Sequence, residues 1–308
     1  MDTLLAAVDS PARDMPQGAD TLGQRMAGLI SPLANSEGFI PTGLPGVQIV
    51  ASQCGHPRTP LIYEPSLIVI AQGRKIGYLE DRVIHYGAGN YLIQALPLPF
   101  ECETYATPDQ PLLGVSIAIN RLMLDELVRP MQARRMTPPA RSPLPMAAVP
   151  MNVTMGDAVL RLLDCLSDPL RCETLGPGRI REVMFEALRG PQGDSLWQLL
   201  QDAGKYSRIA DALAYLHRYY AESISVERLA NEVNMSPSHF HHHFKNTTQL
   251  APMQYLKRLR LLKARVLLGQ RAHNVNRTAA AVGYQSPSQF SRDYKRYFGN
   301  SPAAERAS

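Results

Sequence analysis

Long hydrophobic runs are missing from this chain. No stretch approaches the ~20 apolar residues that a membrane-spanning helix needs, and Met1 to Pro16 lacks the basic start and apolar run of a secretory signal. Cysteine is scarce as well. The four present, Cys54, Cys102, Cys165 and Cys172, show no CxxC spacing and are too few for a disulfide scaffold. Together these absences point to a cytoplasmic protein with reduced thiols and no membrane contact. Acidic residues are thin in one region only: Lys205 to Ser308 holds 16 Lys+Arg against 6 Asp+Glu, or +10, which leaves 16 against 21, or −5, for the first 204 residues. A segment of about 100 residues with that excess favours a polyanion, because each phosphate neutralised releases condensed counterions. Charge alone leaves RNA or a membrane surface open.

What is present is a 308-residue chain of ordinary 45% hydrophobic content, long enough for two domains. Its organising feature is an internal copy. Ser236-Pro237-Ser238-His239-Phe240 runs on to Phe244-Lys245 and Pro252, and fifty positions later Ser286-Pro287-Ser288-Gln289-Phe290 runs on to Tyr294-Lys295 and Pro302. Serine caps a helix N-terminus and proline fits the first helical position, so both copies open a short helix. Aromatic residues four apart then share its buried face. Before each copy stands a helix with an alanine and, three later, a valine (Ala230 and Val233, Ala279 and Val282), then a tight turn through Asn234 or Gly283, residue types that accept the left-handed conformation. Small residues at a close crossing, a tight turn and a capped second helix are the helix-turn-helix pattern. The intervening helix of ~17 residues is ~25 Å long, which with its turns places the two second helices roughly 34 Å apart, one turn of B-DNA.

Upstream, residues 1–40 read as a tail or covering arm, rich in Pro, Gly, Asp and Ala, with one helix-like patch from Leu22 to Leu33. Short apolar runs follow at Leu67–Ala71, Ile76–Leu79, Val83–Tyr86, Tyr91–Ile93, Phe100–Thr104 and Leu112–Ile119, separated by Gly and Pro, the texture of an antiparallel sandwich or small barrel. A Pro-rich passage from Pro138 to Pro150 leads to amphipathic segments at Asp157–Leu166, Ile180–Leu188 and Leu196–Leu200. Such helices after a barrel either cap it or pair with a second subunit; homodimerisation is the expectation.

The residues from about 206 to 303 resemble the AraC/XylS family of bacterial transcription regulators. Tyr255 to Leu268 looks like that family's linker helix, and Ala279 to Tyr284, Phe290 to Arg292, Tyr294-Lys295, Phe298-Gly299 and Pro302 look like its second motif. Thr278, Gln249 and Glu305 depart from the usual branched apolar residue, Gly and Tyr, and Thr278 is expected to loosen the second unit. More weakly, Tyr63 to Leu67, Gln72 to Lys75 and Tyr91 to Pro99 resemble the AraC-type N-terminal, cupin-like domain. The resemblance implies an α+β protein of two domains: a cupin-like β-barrel with following helices over 41–204, and an all-α domain over 205–308 with two helix-turn-helix units joined by a linker helix. It implies an activator-class regulator that binds promoter DNA as a homodimer and senses a small molecule, with no enzymatic activity and no cofactor.

Helical-wheel placement and the family's base-contacting positions select Ser238, His239, His241, His242, Lys245 and Asn246 in the first recognition helix. In the second they select Ser288, Gln289, Arg292, Lys295 and Arg296, with Arg292 best suited to bind guanine O6 and N7 together. The alternative for each is a phosphate contact or a solvated face. The histidine cluster at 239–243 lacks a thiolate or carboxylate spaced to complete a metal site, and His56 and His85 are isolated in the barrel region, so no metal is expected. Candidate effector-pocket residues are Gln72, Lys75, Tyr91, Gln94 and Cys102, the last flanked by Glu101 and Glu103, acids expected to keep its thiol unreactive. Two alternatives remain, a cupin-type metalloenzyme that its C-terminal domain localises to DNA, and a DNA-binding regulator with no effector.

Overall fold

The structure is a computed structural model that describes residues 17–134, 143–200, 204–270 and 273–307. Its N-terminal part holds two antiparallel sheets. One is six-stranded, in the order β1 (Gly38–Pro41), β2 (Val47–Ser52), β9 (Leu112–Ala118), β4 (Ser66–Gln72), β7 (Asn90–Gln94) and β10 (Met146–Pro150). The other is four-stranded, in the order β3 (His56–Ile62), β8 (Pro99–Tyr105), β5 (Arg74–Leu79) and β6 (Arg82–Gly87). β8 alternates as a strand with one covered face must: Phe100, Cys102 and Thr104 are buried while Glu101, Glu103 and Tyr105 are less so. β4, by contrast, is apolar from Leu67 to Ala71 and buried on both faces, because the second sheet covers one side and helices the other.

The helical cover begins in the stretch expected as an arm. α1 (Gln17–Ile30) lies on β4 and β9 with Met26 and Ile30 fully buried, and the same stretch supplies β1. α3 (Val153–Cys165) packs on α1, and α4 (Pro169–Arg189) packs on α3. Their apolar faces, Val159, Leu162 and Leu163 with Val183, Met184 and Leu188, are buried within the chain. α4 starts eleven residues before the expected Ile180, at an Asp168 cap whose carboxylate accepts from the Leu170 and Arg171 amides. Gly176-Pro177-Gly178 reads as a breaker but lies inside that helix, and a Cβ at Gly176 would stand 2.7 Å from Leu44. α2 (Arg121–Ala133), capped by Asn120, and the short strands β1, β2, β3 and β10 are additions to the sequence expectation.

The chain continues through α5 (Asp194–Gln198) into α6 (Lys205–Tyr219), α7 (Val226–Glu232), α8 (Pro237–Thr248), α9 (Pro252–Gly269), α10 (Val275–Ala281), α11 (Pro287–Phe298) and α12 (Pro302–Ala307). α9 lies against β3 and β8. Tyr255 at its start donates its hydroxyl proton to the Pro97 carbonyl, so His217 Nε2, 2.8 Å away, must donate to the Tyr255 oxygen. Arg258 pairs with Glu80 at 2.9 Å. The expected stripe Tyr255, Leu259, Leu262 and Val266 breaks at Val266, which is exposed. The reason is that α9 serves two cores: Tyr255, Leu256 and Leu259 face the barrel and first unit, while Leu261, Ala264 and Leu268 face the second.

Candidate nucleic-acid interface

The two helix-turn-helix units are α7–α8 and α10–α11. Ser225 and Asn274 cap the first helices, accepting from the Arg228 and Arg277 amides, while Ser236 and Ser286 cap the second, accepting from the His239 and Gln289 amides. The turns use Asn234 at φ 52° and Gly283 at φ 84°. Asn234 tolerates that conformation, whereas Gly283 is required twice over: a Cβ there would also lie 2.5 Å from the Ala221 carbonyl oxygen. At the far ends of α8 and α11, Gln249 (φ 61°) and Gly299 (φ 82°) form the same left-handed cap. Gln249 keeps the geometry despite its side chain, whose amide donates to the Asn246 carbonyl at 2.9 Å.

Phe240 and Phe244 of α8, like Phe290 and Tyr294 of α11, are fully buried, which turns the opposite face of each helix to solvent. Ser238, His239, His241, His242, Lys245 and Asn246 are all exposed on α8, as are Ser288, Gln289, Arg292, Lys295 and Arg296 on α11. The two faces differ in chemistry. On α8, His242 Nε2 and Asn246 Nδ2 meet at 3.0 Å and the His239 and His243 rings stack 4.4 Å apart. Burial, then Lys205 and the neighbouring imidazoles, pushes His243 below the usual histidine range. On α11, Arg292 donates to Gln289 Oε1 at 2.8 Å, which holds the guanidinium out over the helix. Arg296 is turned onto Asp293. Asp293 is buried, which raises a carboxyl, but Lys257 of α9 at 2.8 Å, Gln289 and Arg296 together hold it below the usual carboxylate range.

The barrel interior gathers three of the candidate effector residues. Register places Lys75 opposite Thr104 and Tyr86, and Cys102 opposite Gly77, whose own Cβ would meet Met146 of the facing sheet. Lys75 and Cys102 therefore point inward. Burial pushes the Lys75 ammonium down. Tyr86 Oη lies 3.4 Å from Cys102 Sγ. Gln94 is fully buried, donating to the Tyr63 carbonyl at 3.2 Å, while its Oε1 has no hydrogen-bond partner among the described residues. Gln72 and Tyr91 lie apart: Gln72 donates to the Pro111 carbonyl at 2.9 Å, and Tyr91 points at the α4 terminus beside Gly190, its phenol pushed up to about 12 by burial and then by Glu186. Glu101 and Glu103 do not adjoin the Cys102 thiol as their sequence positions imply; adjacent strand residues face opposite ways, and these two reach Arg58 and Tyr78 outside. At the mouth of the barrel a cavity of about 420 Å³ is lined by residues including Phe39, Val47, Gln48, Tyr63, Glu64 and Ser116.

Residues 43–195 match the family model described as the AraC-type transcriptional regulator N-terminus, and residues 229–308 match one described as a helix-turn-helix domain. This chain belongs to the AraC-type family of transcriptional regulators. The HTH-type transcriptional activator RhaS of Escherichia fergusonii is 35% identical over 123 residues, 40% of this chain. RhaS of Salmonella schwarzengrund is 34% identical over 96 residues. The chain spans 44% and 34% of those two relatives' lengths. Unsaturated fatty acid bound ToxT from Vibrio cholerae is similar in fold, with a TM-score of 0.56 at 10% identity over 84% of this chain and 94% of that one. The DNA-binding domain of AdpA, in complex with a target DNA, is 34% identical over 32% of this chain and 90% of that one, with a TM-score of 0.32.

Two features of this AraC-type chain escaped the sequence reading, at Asp293 and Glu64, while Thr278 stood out there already as a departure from the family. Asp293 is the polar hub of the second unit, and Lys257, thirty-six positions away, is its partner; only the helix crossing brings them together. Thr278 is fully buried with its hydroxyl unpartnered among the described residues, a cost a branched apolar residue would avoid. Glu64, next to the Tyr63 that lines the barrel mouth, reaches across to His217 and Lys263 of the helical domain.

Proposed function

We propose that this AraC-type chain is a sequence-specific regulator that binds promoter DNA through α8 and α11, with its barrel taking a small-molecule effector. The observation that supports it is the pair of capped, exposed recognition helices on the two ends of α9, each polar or basic outward and aromatic inward. α9 has 18 residues, so it is ~27 Å long, a length that suits successive major grooves on one face of a duplex. Arg292 is the proposed base-reading residue, with Ser288 and Gln289 beside it and Ser238, His241 and His242 on the other helix. His239, Lys245, Asn246, Lys295 and Arg296 flank them on phosphates. The RhaS relatives carry the name activator, and activation is the sign proposed here, by a cytoplasmic homodimer. Among the described residues no three His, Cys, Asp or Glu side chains form a group that could hold a metal ion, and no observation favours the metalloenzyme alternative.

The test is fluorescence anisotropy on a duplex selected in vitro. Affinity should fall steeply with salt, by ~10³ or more between 50 and 200 mM if six or more phosphates are contacted. Arg292→Ala should lose ~1–3 kcal/mol on the selected site and little on random duplex. A flat salt response would overturn DNA binding, and equal losses on both duplexes would make Arg292 a phosphate contact.

A further inference from the structure

The wall of the barrel-mouth cavity is also part of the contact between the two domains. Tyr63, Glu64, Pro65 and Ser66 line the cavity between the end of β3 and the start of β4. The carboxylate of Glu64 lies 3.5 Å from His217 Nδ1 and 3.8 Å from Lys263 Nζ, on α6 and α9 of the helical domain. His217 in turn donates to Tyr255, whose hydroxyl holds the Pro97 carbonyl. A single acidic side chain thus connects the cavity to the helix that carries both recognition units.

The lining chemistry restricts what the cavity takes. Phe39, Leu44, Val47, Ile62 and Tyr63 make most of it apolar, and Glu64 is the one charged side chain among the described lining residues. The nearby His217, and then Lys263, hold its carboxyl below the usual range. The carboxylate is nonetheless incompletely committed: 68% of its side chain is accessible, and neither partner is within 3.4 Å. A cavity of about 420 Å³ is within the usual range of small-ligand sites, roughly 300–1,000 Å³.

We propose that the barrel-mouth cavity binds an apolar molecule carrying one positive charge, and that this ligand acts by drawing Glu64 away from His217 and Lys263. The proposal deepens the effector-sensing part of the function proposed above and rests on it for its regulatory consequence. A cation in the cavity competes for the carboxylate that the helical domain uses, so its affinity differs between the docked and released arrangements, which is the condition for a ligand to shift that equilibrium. An anionic ligand of the same shape meets Glu64 with like charge.

The experiment uses the full-length protein and three probes of matched chain length: octylamine, octanol and octanoate. Isothermal titration calorimetry without DNA should show octylamine binding at least about tenfold more tightly than the other two, the scale of one hydrogen bond to a charged group. Glu64→Gln should erase that preference while octanol binding persists. Ser116→Leu, which fills the cavity from the β9 side, should abolish binding of all three with Glu64 intact. Octanoate binding as well as octylamine, or amine preference surviving in Glu64→Gln, would overturn the proposal, as would no binding of any probe to wild type. The same samples are then titrated with DNA. Octylamine should change the wild-type DNA affinity several-fold and leave that of Glu64→Gln unchanged. Amine binding with unaltered DNA affinity would overturn the coupling, whereas failure of DNA binding in every sample would instead overturn the regulator reading.

Discussion

The two helix-turn-helix units share caps, turns and an aromatic pair, yet they are anchored differently. Phe240 and Phe244 of the first unit belong, with Tyr255 and Leu259 of α9, to one continuous core that runs back through α6 to the barrel and its helices. Phe290, Tyr294, Ala279 and Val282 of the second form a small core of their own with Leu261, Ala264 and Leu268 of α9. The first unit is therefore an extension of the barrel half, and the second is a satellite that packs on α9 and on the Tyr220–Ala221 segment. Their outer faces diverge too, histidine and asparagine on α8 against Arg292 and Gln289 on α11. A common scaffold with unequal faces suits an asymmetric site for the DNA binding proposed above, in which Arg292 is the proposed base-reading residue.

The largest expected effect tests the separation of cores. Phe240→Ala and Phe290→Ala should each cost ~3–5 kcal/mol, since both rings are fully buried. The single tryptophan, Trp197, lies in the main core. Its fluorescence should report a lower unfolding midpoint for Phe240→Ala and an unchanged one for Phe290→Ala, whose damage should instead show as faster hydrogen exchange in α11. A shift of the Trp197 transition in both variants would merge the two cores into one cooperative unit.

Asp293 sharpens the comparison, since the first unit has Lys245-Asn246-Thr247 where the second has Lys295-Arg296-Tyr297, and His243 at the position of Asp293. The folded-state pKa of Asp293 is depressed. Its stabilisation is thus complete above the unfolded-state value of about 4 and is lost as pH falls through the lower folded value. Asp293→Asn should cost ~1–3 kcal/mol near pH 7, and the difference from wild type should vanish at low pH. Hydrogen exchange of α11 from pH 7 down to pH 3 checks it, and a cost that does not change with pH would remove the carboxylate from the account.

The smallest effect concerns the caps. Gln249→Gly, which gives the first unit the glycine that the second has at 299, relieves a left-handed non-glycine residue and should stabilise by up to ~1 kcal/mol in urea denaturation. Destabilisation would mean that the Gln249 bond to Asn246 outweighs the backbone strain.

The chain's local signals were legible where the physics is local. Ser236 and Ser286, Ser225, Asn234 and Gly283, and the aromatic spacing each act within a few residues, so their caps, turns and buried faces follow from the sequence. Six strands were legible from apolar runs between turn residues. Of the strands that escaped, β3 is an edge strand with Pro57 and Pro60 and a register shift near its start. α2 carries Pro130 near its end and the first half of α4 carries Gly176-Pro177-Gly178, residues that disfavour a helix interior. In the barrel, strand alternation separates Cys102 from Glu101 and Glu103, but which face is the interior depends on a sheet partner distant in sequence.

The sequence by itself determined the repeated pair of capped helices, the basic excess of the last third and the exposed faces of α8 and α11, because caps, periodicity and composition need no distant partner. Only the tertiary structure decided that α9 divides its two faces between separate cores, that Lys257 reaches Asp293, and that Glu64 joins the barrel mouth to His217 and Lys263. Those contacts join residues tens to nearly two hundred positions apart, and nothing in either local stretch specifies the partner. The copied Ser-Pro-Ser marks where two capped, outward-facing helices begin; the packing around α9 makes one an extension of the barrel half and the other a satellite.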